Sequence, residues 1–232
     1  MKYIPETKVE LEKLVRDLSI NLGDIDTSKI TDMAGLFYLT KRTDFSGIEK
    51  WDVSKVRNMV GMFQGATSFN ADLSDWDVSN VENMNSMFSG AVSFNQDLSK
   101  WDVSNVENIS CMFCNAKSFN QDISKWNVGN VWNMYAMFHN ATSFNQPIGD
   151  WDVSKVEDMS SMFEGAESFN ADISDWNVRG VEDMESMFAY ATSFNQDISK
   201  WDVSKVEDMA SMFSEAESFN QPIQPIGKWN VS

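Results

Sequence analysis

The chain has 232 residues and a formal net charge of −17, with 35 acidic side chains against 18 basic ones. This charge argues against nucleic acid and against an anionic membrane surface as partners, because both require a basic footprint on the protein. The charge favours a basic or neutral partner instead. No apolar stretch is long enough for a membrane-spanning helix, so the sequence predicts no membrane insertion.

The first 23 residues lie outside the repeat that fills the rest of the chain, and they predict a capping helix. Residues 7–10, TKVE, form a capping-box pattern, and the apolar residues from Leu11 to Leu18 then fall on one face of a helix. An uncapped stack of repeats would expose core side chains at its end. We therefore expect residues 1–23 to cover the first coil.

A 25-residue repeat occupies the rest of the chain, and residues 76–100, WDVSNVENMNSMFSGAVSFNQDLSK, represent it well. A fixed period of this length is typical of a solenoid, in which each coil packs against its neighbours. The sequence predicts one solenoid domain over residues 24–232, with a degenerate first coil (24–50), seven coils (51–228) and a partial coil (229–232). The tryptophans that begin the seven coils are Trp51, Trp76, Trp101, Trp126, Trp151, Trp176 and Trp201.

Within each coil, the apolar pattern predicts one short strand and one short helix. Trp76 and Val78 alternate with polar residues, as in a half-buried strand. The apolar residues from Met84 to Ala91 recur at i, i+3, i+4 and i+7, the spacing of a helical face. Stacked strands would lie about 4.8 Å apart whereas packed helices need about 8–10 Å. We therefore expect an α/β solenoid that curves, with parallel strands on its concave side and right-handed crossovers.

The motif WDVSNVENMxSMFxxAxSFNQDIS, repeated from Trp51 onward, resembles the BspA-like leucine-rich-repeat surface proteins. Within that family it is similar to the group, found in mycoplasma lipoproteins and other bacteria, whose repeat has the same period as this one, and residues 24–37, DIDTSKITDMAGLF, share the resemblance. The resemblance implies a bacterial protein at the cell surface or outside the cell. It also implies a curved adhesion module with a host-derived partner, no enzymatic activity and no cofactor.

One coil carries aromatic side chains where its sister coils do not. Trp132, Tyr135 and His139 replace the Glu, Asn and Ser of the coil that begins at Trp76. On the predicted helix their spacing of i, i+3 and i+7 would give one exposed face, and Tyr190 could extend it. Trp and Tyr are typical anchors of interfaces, so these four residues are candidate partner-binding residues. The alternative is that Trp132 folds down over its neighbours as local packing.

A second candidate surface is acidic and flanks the predicted strands. Like charges on adjacent strands repel one another unless lysines, a cation or a basic partner compensate them. The functional interpretation is an acidic binding surface, and the alternative is a solvated face with local Lys to Asp compensation. The candidates are Asp52, Asp77, Asp102, Asn127, Asp152 and Arg179, the last interrupting the pattern.

Cys111 and Cys114 form a CxxC motif, but a structural zinc needs four ligands and Cys111 occupies a position held by small residues in other coils. The single histidine has no partnered nucleophile, so we expect no catalytic, metal or cofactor site. The sequence predicts a non-enzymatic binding or adhesion module for a protein or glycan partner. The start, MKYIPETK, lacks the apolar core of a secretory signal. The alternative is therefore a cytoplasmic acidic inhibitor or immunity-type protein that binds a basic protein.

Overall fold

The structure, a computed structural model, describes residues 2–222, so the predicted partial coil at 229–232 and the end of the last full coil lie outside the described residues. Within this range the chain forms helix α1 (Lys8–Arg16), two 3-10 helices (Leu22–Asp24 and Ile48–Lys50) and a stack of repeated coils. Among the described helices, none is both long and apolar enough to cross a membrane. The molecule is thus a repeat protein with little helix.

Helix α1 lies against the first coil. The Thr7 side chain accepts a hydrogen bond from the N–H of Glu10, which begins the helix, and Leu11 and Val15 are buried. Leu18, expected on the same face, lies beyond the end of the helix and is exposed. The buried Arg42 guanidinium donates to four backbone carbonyls, which fastens the end of α1 and the residues after it to the first coil. These acceptors are Val15, Asp17, Ile20 and Asp44, at 2.8–3.3 Å.

The described coils contain neither the predicted strand nor the predicted helix. Adjacent coils are joined instead by isolated parallel bridges, one per coil, such as Asn83 to Asn108. The bridge lies after Val81 and not at Trp76 or Val78, where the alternation predicts a strand. The bridged residues, hereafter the bridge column, are Asp32, Asn58, Asn83, Asn108, Asn133, Asp158, Asp183 and Asp208.

The predicted helix is a series of overlapping turns, hereafter the turn segment, which spans residues 84–91 in the coil of Trp76. The N–H of Met87 donates to the carbonyl of Met84, which closes a four-residue turn. The N–H groups of Ser86 and Gly90 instead donate to carbonyls of the next coil, at 2.9 and 2.7 Å. Both residues have a positive φ, +57° and +69°, which no α-helix contains. The prediction of a helix was therefore wrong, although its apolar residues are buried.

Because the described coils contain no α-helix, the conflict between strand and helix spacing from which we predicted curvature does not arise in the described residues. Equivalent residues stack in register instead. The Phe88 and Phe113 rings are 5.7 Å apart, and the Trp101 and Trp126 rings are 6.5 Å apart. The indole N–H of Trp101 donates to the carbonyl of Leu73, which lies three residues before Trp76, the equivalent tryptophan of the preceding coil. One continuous aromatic core therefore runs along the stack.

Candidate functional site

The register of the coils arranges exposed residues into columns that run along the stack. One of these columns lies one residue before the bridge column in each coil, and backbone hydrogen bonds link its residues from coil to coil. The N–H of Glu107 donates to the carbonyl of Glu82 at 2.9 Å, and Trp132 continues the series to Glu107 at 3.0 Å. All its side chains are exposed. We call it the glutamate column, and its acidic members are Glu82, Glu107, Glu157, Glu182 and Glu207.

Sequence reasoning missed the glutamate column. Its signal was present, because Glu follows the same valine in five coils. On the predicted helix, however, such a residue would be one of many solvated side chains, and helical packing would separate it from its counterpart in the next coil by about 8–10 Å. The structure brings these glutamates closer, because the backbones of adjacent coils are hydrogen-bonded at this point.

Trp132 lies at the middle of the glutamate column. Tyr135 lies just beside this column, three residues later in the sequence. Trp132 stands between Glu107 and Glu157 and is 43% exposed, so local packing covers only part of its side chain. Tyr135 is 44% exposed and stands in a column where the neighbouring coils have the buried residues Ser110 and Ser160. Partial burial is the largest effect that raises the pKa of the Tyr135 phenol. Two large rings therefore project from a position where small or charged residues suffice for the fold.

His139 and Tyr190 occupy columns at the other end of the turn segment. The His139 Nδ1 atom is 3.4 Å from a carboxylate oxygen of Glu164 in the next coil, and its Nε2 atom is 2.9 Å from the Asn140 amide nitrogen. Tyr190 is 54% exposed and has a positive φ of +57°. The face predicted from helical spacing is thus divided between the two ends of the turn segment, because the helix is absent.

The acidic candidates form no face of a sheet, because the described coils contain no strand there. Their side chains close local turns instead. The Asp102 carboxylate accepts the backbone N–H of Ser104 at 3.0 Å. The hydrogen bond from the Ser104 side chain is the largest effect that lowers the pKa of Asp102, and the hydrogen bond from the Ser104 backbone lowers it further. The same turn, in which the side-chain oxygen accepts the backbone N–H of the residue two places on at 3.0–3.2 Å, is formed by Asp52, Asp77, Asn127 and Asp152.

Arg179, the basic candidate, pairs with Asp202 of the next coil, with its Nε atom 3.0 Å from a carboxylate oxygen. Both side chains are substantially exposed. Exposed pairs of this kind contribute little to stability, so the contact acts mainly as local charge compensation. Together with the turns made by the aspartates, it favours the structural interpretation of these acidic candidates.

The cysteine pair occupies one turn. Cys111 has a positive φ of +56°, in a column that holds Ser86 and Ala136 in the adjacent coils. The hydrogen bond from Cys111 lowers the pKa of Cys114 to about 6, with a further contribution from the charge of His139, while burial opposes the shift. Among residues 2–222, no group of three or more His, Cys, Asp and Glu side chains could hold a metal ion.

A protein-family model described as "Mycoplasma protein of unknown function, DUF285" matches the chain three times, at residues 10–116, 96–193 and 146–232. The matches overlap and together span the chain from residue 10 to its end, as expected where one repeat recurs in register. Neither a search of curated proteins nor one of solved structures found a match.

Proposed function

The chain belongs to the family described as Mycoplasma protein of unknown function, DUF285, and on that premise we propose that it is a non-enzymatic binding module. The observation that carries this proposal is the exposure of Trp132 and Tyr135. Their coil has the same core and inter-coil hydrogen bonds as the coils on either side, which have Glu and Ser at these two positions. The two rings therefore add exposed aromatic surface that the fold does not need, and Trp and Tyr are typical interface anchors.

The proposal includes a protein or glycan partner and an adhesive role at the cell surface, as the resemblance to BspA-like proteins implies. It also includes a right-handed, leucine-rich-repeat-like solenoid, supported by one parallel bridge per coil and by the continuous core. In this solenoid the exposed columns form a long surface. Neither partner binding nor adhesion requires a catalytic group.

A second candidate is an acidic inhibitor or immunity-type protein inside the cell. The glutamate column favours it, since within residues 2–222 only one of its members, Glu82, makes an ion pair, with Arg57. A surface of this kind suits the basic protein that this candidate would bind.

Site-resolved crosslinking tests the binding function. A photoreactive phenylalanine analogue replaces Tyr135 in one protein and Glu167, an exposed residue in a different column, in the control. We expect illumination with source cells or their extract to give a discrete adduct from position 135 that is absent from position 167. Identical products from both positions, or no adduct from 135, would contradict a binding role for this surface.

Protease accessibility of the native protein on intact source cells separates the two candidates. Cleavage of this protein while a cytosolic control stays intact would support surface adhesion. Protection that ends only on lysis would support the intracellular role.

A further inference from the structure

We propose that the glutamate column, with Trp132 at its centre, binds an arginine- or lysine-bearing segment of a basic protein. This inference rests on the proposed binding function and specifies the class of partner and the residues that meet it. The segment would lie along the stack, with a cationic side chain over the Trp132 indole and others beside the glutamates.

Most of the negative charge of the glutamate column is uncompensated within the described residues. The N–H of Glu182 donates to the carbonyl of Glu157 at 2.8 Å, and that of Glu207 donates to Glu182 at 2.7 Å. The backbones of residues paired in this way lie about 4.8 Å apart, and like charges on directly opposite residues are destabilising. In the part of the chain that the structure describes, Arg57 is the only cation paired with this column. Cationic side chains along the column would relieve this repulsion.

The neighbouring bridge column adds negative charge toward the last coils. Its residues change from Asn133 to Asp158, and Asp183 and Asp208 continue the acidic series. Burial raises the pKa of Asp183, and the charges of Asp158 and Asp208 raise it further. The carboxylates of adjacent coils therefore act on one another. Two acidic columns therefore lie one residue apart in the sequence from Trp132 toward the last described coil, and the aspartates of the bridge column also accept backbone N–H groups two residues on.

Trp132 lies between Glu107 and Glu157 in the glutamate column. An indole face attracts a guanidinium or ammonium group more strongly than other aromatic rings do. With a carboxylate in the coil on each side, a bound cation gains both ring and ion contacts, and the exposed Tyr135 ring offers further apolar contact. A neutral glycan could stack on the rings, but it would leave the glutamates uncompensated. The charge therefore favours a basic protein segment.

The first test measures the affinity of the full chain for a fluorescent octa-arginine peptide by anisotropy. The key variant is Trp132→Glu, which restores the residue of the sister coils and makes the protein more acidic. We expect its affinity to fall about 2- to 30-fold, the range that corresponds to cation–π energies of roughly 0.5–2 kcal/mol. Equal or tighter binding would show that the indole is no anchor and would overturn the proposal.

The second test asks whether the location of the charge matters. Glu107→Gln with Glu157→Gln removes two charges beside Trp132. The matched control, Glu167→Gln with Glu217→Gln, removes two exposed charges from another column. We expect the first pair to weaken binding at least about five times more than the control pair, with a difference that narrows as salt screens the charges. Equal losses would mean a response to net charge alone and would overturn the proposal.

These outcomes are separable from failure of the proposed function. If Tyr135 crosslinks to a glycan or to a non-basic protein while octa-arginine does not bind, the inference fails and the binding module stands. If the adduct at position 135 is absent as well, both fail. Matching melting curves for all variants establish that folding is not the cause of any loss.

Discussion

At the scale of single residues, the backbone conformation explains which side chains the turn segment accepts. Ser86 and Ser161 have positive φ values of +57° and +55°, and Gly61 occupies the same column. The left-handed region costs a non-glycine residue roughly 1–2 kcal/mol. Small side chains in this column, including Cys111, therefore reflect backbone geometry and not a shared chemical role. The inter-coil hydrogen bonds that these residues donate offset part of the cost.

The cysteine pair gives a prediction at this scale. Because the pKa of Cys114 is lowered to about 6, its thiolate is the main form above that pH. We expect the rate of alkylation of Cys114 by iodoacetamide to rise with pH through a midpoint near 6. In Cys111→Ala, which copies Ala136 of the next coil, the hydrogen bond is lost and the midpoint should move upward. Mass spectrometry assigns the modified site, and an unshifted midpoint in the variant would contradict this explanation.

At the scale of the element, the turn segment replaces a helix because of its hydrogen-bond partners. In a helix each N–H donates within its own segment. Here the N–H groups of Met84, Ser86 and Phe88 donate to the adjacent coil, whereas that of Met87 closes a local turn. This alternation between local and inter-coil hydrogen bonds requires a left-handed backbone conformation at fixed positions, which are those of Ser86 and Gly90. The stability of the element therefore depends on the coil beside it.

Substitution of Ser161 tests the geometry of the turn. A β-branched residue is strained at positive φ, so Ser161→Val should lower the free energy of unfolding by about 1–2 kcal/mol. Ser161→Ala is the control for loss of the hydroxyl, and Ser161→Gly should be neutral or stabilising because glycine adopts this conformation freely. Urea denaturation measures all three. Valine tolerated as well as glycine would be incompatible with a left-handed residue here.

At the scale of the whole molecule, stability comes from contacts between successive coils, since each coil alone lacks a core. Trp101 shows how these contacts are made. Its indole is buried, stacks on Trp126 in the following coil and donates a hydrogen bond at 3.0 Å to the carbonyl of Leu73, just before Trp76, the first residue of the preceding coil. The tryptophans thus join each coil to both of its neighbours.

Removal of one tryptophan from the middle of the stack should therefore be costly. We expect Trp101→Ala to lower the free energy of unfolding by about 3–5 kcal/mol, because a large cavity opens in the core. Trp101→Phe keeps a ring and loses the hydrogen bond, so its cost should be smaller. Thermal and urea melting curves measure both. A curve for Trp101→Ala that matched the wild type would exclude the tryptophan ladder as a source of stability.

The sequence by itself determined the repeat, its period and most of its buried residues. Trp76, Val78 and Phe88 are in the core, as their spacing predicted, and Trp132 and Tyr135 stand out when the sister coils are aligned with one another. These features depend only on how often an apolar residue recurs and on which residue departs from the repeat. Both can be read without knowing the path of the backbone.

Only the tertiary structure decided what kind of element carries that pattern and which residues become neighbours. A spacing of i, i+3, i+4 and i+7 suits a helix and a series of turns alike. The choice depends on whether the next coil offers carbonyl acceptors, as it does for Ser86. The register that follows places Glu107 and Glu157 in the coils on either side of Trp132. Contacts between residues one repeat apart are fixed by stacking, which no local pattern encodes.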